Sequence, residues 1–167
     1  APFKGTVLFI LTQFSDQKGF YSEADFATFV QKDIGGFYRD VSYGAADLAP
    51  ARESFGTVDN GVVGWVTLNY NHPNTGSSTG AANQKLSKDA ILAADPYVNY
   101  AAYDYNHDGY VDANELAVVV IVAGYERSYA RVSPSIWAHQ WYLDPVGSPT
   151  VDGVIVGDSH NNAGGYA

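Results

Sequence analysis

Two uninterrupted apolar runs, Thr6–Thr12 (TVLFILT) and Leu116–Ala123 (LAVVVIVA), constrain this chain more than any other feature. Both are strand-sized and β-branched, with none of the polar alternation of a half-solvated strand, so both read as buried strands, the first of them central. A chain of 167 residues, 46% hydrophobic and 14% aromatic, is large enough to cover such strands, which points to one folded domain over 1–167. No apolar run approaches the roughly 20 residues of a membrane-spanning helix.

Helical spacing surrounds these strands. Ser22 offers an N-cap with acids in the following turn, and Phe26, Phe29, Val30 and Ile34 recur at helical intervals until Gly35-Gly36. Phe37–Val41 continues as a short helix or a turn. Asp47–Val58 and Gly61–Leu68 read as two strands joined at Asp59-Asn60-Gly61, a hairpin signal. Tyr70–Ala82 is rich in Asn, Gly, Ser and Thr and reads as an exposed loop, and Gln84–Asp95 as a helix with Leu86, Ala90, Ile91 and Ala94 on one stripe. After Leu116–Ala123 come a loop at Tyr125–Pro134, an aromatic strand at Ile136–Leu143, a hairpin at Asp152-Gly153, and a frayed tail at Asn161–Ala167. The expected class is α+β: a twisted mixed sheet with two main helices on one face.

The chemistry of the chain concentrates in Asp104–Glu115, DYNHDGYVDANE. An EF-hand loop places Asp, Asp/Asn and Asp/Asn at positions 1, 3 and 5, Gly at 6 and Glu at 12; Asp104, Asn106, Asp108, Gly109 and Glu115 satisfy all five. Calcium takes six to eight hard oxygens, and alternate residues of a tightly curled loop aim theirs inward. Tyr110 would add its backbone carbonyl, Asp112 would bind directly or through water, and His107 occupies a variable, outward position. The expected calcium ligands are therefore Asp104, Asn106, Asp108, Tyr110, Asp112 and Glu115. Without an ion the segment would be an acidic loop that caps its neighbours. A regulatory EF-hand needs a helix on each side, yet the residues after Glu115 are almost all β-branched. The loop is expected to clip a helix to a core strand rather than to switch.

Charge limits the partners. Nine Lys+Arg against 18 Asp+Glu give a net charge of −9, which disfavours phosphate backbones and anionic lipid surfaces. Cysteine is absent, which removes disulfides and thiolate metal sites. Methionine is absent too and the chain begins at Ala1, so an upstream segment, such as a leader or pro-segment, is expected to have been removed or omitted. There is no Gly-x-Ser-x-Gly elbow, no phosphate-binding Gly-Lys-Ser/Thr loop and no readable acid pair, Asp16 and Glu126 standing alone.

Several blocks, in order, are similar to a known family: VLFILTQFSD (Val7–Asp16), FYRDVSYGAADL (Phe37–Leu48), VVGWVTLNY, KDAILAADPYVNYAAYD, the acidic loop, VVVIVAGYE and SIWAHQWYL. Together they resemble the N-terminal part of the secreted zinc metallopeptidases of the immune-inhibitor-A type. The resemblance implies an extracellular zincin that cleaves peptides, with calcium here and zinc held by an HExxH helix downstream. No HExxH occurs, and the histidines at 72, 107, 139 and 160 include no i, i+4 pair, so no zinc ligand and no catalytic residue carry over. The chain is then either the N-terminal half of such an enzyme, with its own C-terminal half as a candidate partner, or a member that lost its active centre.

The resemblance also places Trp137, His139 and Trp141 in a Trp-x-His segment. On a strand the three would share one face, either lining a substrate cleft or forming an aromatic layer around a hydrogen-bonded histidine. His160 beside Asp158 reads as surface polar, and His72 as a loop residue. The competing functional reading is a non-catalytic, extracellular calcium-dependent binding module that would use exposed tyrosines and the loop at 70–82.

Overall fold

A computed structural model describes residues 3–160 and 165–167 of the chain. The first apolar run lies at its centre, inside the twelve-residue strand β1 (Phe3–Phe14). Residues 3–7 of β1 pair with β2 (Ala46–Pro50), and residues 9–14 pair with β3 (Val62–Leu68) farther along the same edge. Its other edge pairs with β5 (Ala117–Val122), from Val7↔Ala117 to Thr12↔Val122. All three pairings are parallel, so the main sheet is not mixed as expected. This is the arrangement that continuous apolar strands favour, since a parallel sheet is covered on both faces.

The covering helices correct a second expectation, because they lie on opposite faces. Val7, Phe9 and Leu11 pack against Ala27 and Val30 of the first helical segment, with the Phe26 ring edge-on to Phe9 at 5.8 Å. Leu8 and Ile10, pointing the other way, pack with Ala90, Ile91 and Ala94 of α3 (Ala81–Ala94). The α3 stripe is the one the sequence spacing predicts. What the spacing cannot say is which sheet face it meets, because β1 is equally apolar on both.

Ser22 caps α1 (Glu23–Phe29), its hydroxyl accepting from the Asp25 amide at 3.1 Å. Gly35-Gly36 does not end the helix: a π turn (Val30–Ile34) leads into α2 (Gly35–Val41). Arg39 supplies the reason. Its guanidinium reaches back over the bare Gly35 to the Gln31 carbonyl at 3.3 Å and pairs with Asp47 at 3.1 Å. Asn60-Gly61 is likewise not a hairpin turn. The Glu53 carboxylate accepts from the Phe55 and Asn60 amides, and the Asn60 side chain accepts from the Val62 amide. These bonds give the connection a fold of its own and let β3 follow β2 along one edge of β1.

Two small sheets flank the main one. β4 (Tyr110–Val111) pairs in parallel with β9 (Val154–Val156), and β9 pairs antiparallel with β8 (Thr150–Val151). Asp152 and Gly153 turn between β8 and β9 with φ of +52° and +85°, the type I′ geometry that makes Asp-Gly a hairpin dipeptide. β6 (Tyr125–Glu126) pairs with β7 (Ser135–Ile136). Of the aromatic strand expected over Ile136–Leu143, only Ile136 lies in a strand, as the last residue of β7. Beyond it the Glu126 carboxylate accepts from the Ala138 amide and the His139 ring bonds the Trp137 carbonyl, so side chains replace a ladder. Of the tail expected to fray, residues 161–164 lie outside the described part. Gly165–Ala167 are seated, with Tyr166 only 3% exposed.

Candidate functional site

The Asp104–Glu115 loop is entered from a 3-10 turn (Tyr100–Tyr103) and left through Leu116 into β5, and no helix follows it. It closes on its own first and last carboxylates. Asp104 accepts from the amides of Asp108 (3.1 Å) and Gly109 (3.0 Å). Glu115 accepts from Tyr105 (2.9 Å) and Asn106 (3.3 Å) through Oε1 and from Asp112 (3.2 Å) through Oε2. Asp112 accepts from Asn114, and Asp108 from Tyr110. Gly109 takes φ of +84°, a conformation that glycine adopts without strain. Asp104, Asp112 and Glu115 are buried, whereas Asn106, His107 and Asp108 are exposed.

The loop is held from three sides. β4 ties Tyr110 and Val111 to β9, the Asp152 carboxylate accepts from the Tyr100 amide at 2.8 Å, and the His160 ring stacks on Tyr110 at 3.9 Å with Nε2 3.4 Å from Asp108. His160 is thus packed on the loop instead of lying free on the surface. Among the described residues no Lys or Arg forms an ion pair with the loop's four carboxylates, and no three His, Asp or Glu side chains are gathered into a cation cage. The oxygen-only donor set and uncompensated negative charge suit a hard cation. In the present arrangement the buried carboxylates face loop amides.

The second feature is a cleft of about 460 Å³ beside β5. Its floor is apolar: Leu86 of α3, Val120 and Val122 of β5, and Ile136 of β7. The residues Gly124–Glu126 and Trp137–His139 form one wall, and Tyr166 and Ala167 another. Of the three aromatic-segment residues singled out from sequence, Trp137 and His139 line the cleft. Trp141 does not; it is 51% exposed and meets Tyr166 through paired backbone bonds. A shared strand face for the three is therefore corrected, because residues 137–141 are not a strand.

His139 is fixed at both ring nitrogens. Nδ1 lies 2.7 Å from the Trp137 carbonyl and so carries the proton, leaving Nε2 to accept from the Tyr166 hydroxyl at 3.1 Å. Burial pushes the Tyr166 phenol up from its ordinary value, with the nearby Ser87 hydroxyl opposing.

His72 and Glu126 were invisible in sequence as parts of this cleft. His72 is a loop residue, and a buried one. It is 7% exposed, its ring meets Phe14 at 4.8 Å, its amide donates to Asp16 at 2.8 Å, and Nδ1 accepts from the Asn74 amide at 2.9 Å. Its proton therefore sits on Nε2, against Gly124, with no partner among the described residues. Burial holds His72 below the usual imidazole range, against the pull of Asp16. Glu126 accepts from Ser128, Tyr129 and Ala138, and these bonds, that of Ser128 foremost, hold its carboxyl below the usual range. No short sequence pattern joins residues 72, 126 and 139; the turns that bring them together are long-range.

The 70–82 loop is stitched to the same wall. Asn74 accepts from the Ser135 amide, Gly76 exchanges backbone bonds with Ser135 and Trp137, and the Tyr70 hydroxyl donates to Asp89. Compared with protein-family models and with curated proteins, the chain matches none.

Proposed function

We infer that this chain is the calcium-binding, sheet-forming N-terminal portion of a secreted zinc metalloendopeptidase of the immune-inhibitor-A type. The observation that carries the reading is the continuity of two features. An acidic loop runs directly into β5, and β5 is the outer strand of a parallel sheet and lines an apolar cleft. Calcium would be held by the carboxylates of Asp104, Asp108, Asp112 and Glu115, the Asn106 amide oxygen and the Tyr110 carbonyl. Bound there, it would neutralise charge and stiffen the junction that sets the position of β5.

This chain's own residues would bind and orient a peptide. The β5 edge offers main-chain hydrogen bonds to an extended segment, and Leu86, Val120, Val122 and Ile136 offer an apolar pocket to its side chains. His139 and Trp137 would border that segment. None of these groups is placed to activate a water, so peptide hydrolysis is assigned to a zinc-bearing HExxH helix supplied outside these residues.

Two measurements test the reading. Calorimetric titration of the purified chain with calcium should show one site, lost in both Asp104→Ala and Glu115→Ala; equal affinity in all three proteins refutes the loop assignment. The coding sequence continuing from Ala167 should supply an HExxH helix, and its absence refutes the peptidase assignment.

A further inference from the structure

In β5 the residues alternate between two edges. The Ala123 amide donates to the Thr12 carbonyl, so the odd-numbered residues face β1 and the even-numbered ones turn their N–H and C=O outward. That outer edge is partly taken. The Ala167 amide donates to the Val118 carbonyl at 3.1 Å, and the Val120 amide donates to the Ala167 carbonyl at 2.7 Å, the pattern of one residue in a parallel ladder. Tyr166 anchors this contact, with its ring buried, its hydroxyl on His139, and its backbone paired with Trp141 at 3.1 and 2.9 Å. Gly165, at φ +100°, passes so close that an added Cβ would lie 2.1 Å from the Trp141 carbonyl oxygen. The Val120 carbonyl and the Val122 amide face the same way and have no backbone partner among the described residues.

We propose that Gly165–Ala167 is a strand held in cis on the β5 edge, which an extended peptide must displace to occupy that edge. This regulation rests on the peptide-binding reading given above. The segment has the two parts of a strand-addition ligand, main-chain bonds to an edge and one side chain in a pocket. Among the described residues two main-chain bonds hold it on that edge, and these are the bonds its release must open. Tethering keeps its effective concentration on the order of millimolar, enough to exclude weak peptides while yielding to strong ones. Peptide affinity is then reduced by the fraction of molecules whose edge is open.

The test uses the full chain and an N-acetylated, C-amidated heptapeptide of alternating valine and threonine. Peptide affinity is read by calorimetry and seating of the tail by hydrogen exchange at the Val120 amide. In Tyr166→Ala and Gly165→Ala, Val120 exchange should accelerate and the peptide Kd should fall by the same factor, roughly tenfold or more. Gly165→Ala leaves Tyr166 intact and decides the question if Tyr166→Ala fails to fold. Faster exchange with unchanged peptide affinity overturns the competition and leaves the peptide site standing. Unchanged exchange in both variants overturns the seating of the tail. No binding by wild type or either variant overturns the peptide site itself, and the proposal with it.

Discussion

Glu115 is the residue whose removal separates the architecture of the acidic loop from its proposed ion. Its carboxylate is 7% exposed and accepts from three amides, those of Tyr105, Asn106 and Asp112. Hydrogen bonds to a charged acceptor contribute about 1.5–3 kcal/mol each, but the loop is near solvent and water replaces part of the loss. Glu115→Ala should therefore cost about 3 kcal/mol in urea unfolding with a chelator present. Glu115→Gln keeps an acceptor for Tyr105 and Asn106 and should cost about 1 kcal/mol under the same conditions. Calcium at a hundredfold excess over its Kd would add about 2.7 kcal/mol to the wild type by mass action. Neither variant should gain that increment, so the gap between wild type and Glu115→Gln should widen from about 1 to nearly 4 kcal/mol on adding calcium. A Glu115→Gln protein that gains as much from calcium as the wild type would show that the ion binds elsewhere. A Glu115→Ala protein as stable as the wild type in chelator would show that the three amides do not depend on it.

Acid should find a weak point at His72. Its folded pKa lies below the ordinary 6.5, so the unfolded chain binds the proton more readily. Stability is then fully present above the unfolded value and falls as pH drops below about 6.5, continuing until the folded pKa is passed. His72→Gln should flatten that slope in urea midpoints taken between about pH 7.5 and 5.5; an unchanged slope would place the acid sensitivity elsewhere. Ile10 tests the core: it is fully buried on the α3 side of β1, and Ile10→Ala should cost about 3 kcal/mol by denaturant unfolding. A loss under about 1 kcal/mol would mean that this layer is not tightly packed.

What could be read from sequence was whatever depends on local pattern. Thr6–Thr12 and Leu116–Ala123 announce strands because nothing polar interrupts them. Ser22 announces a cap because its hydroxyl serves an amide three residues away, and Asp152-Gly153 a hairpin because both residues accept positive φ. The curl of the acidic loop and its exit into a strand also follow from residue order alone. Tertiary structure decided the rest. An apolar strand looks the same from either face, so only the fold could put α1 and α3 on opposite sides of β1. Gly35-Gly36 stays helical because Arg39 crosses it to reach Asp47, and Asn60-Gly61 is kept from a hairpin by Glu53. The cleft is the extreme case: His72, Leu86, Val120, Glu126, His139 and Tyr166 share no spacing, and they meet only because parallel strands demand long crossovers.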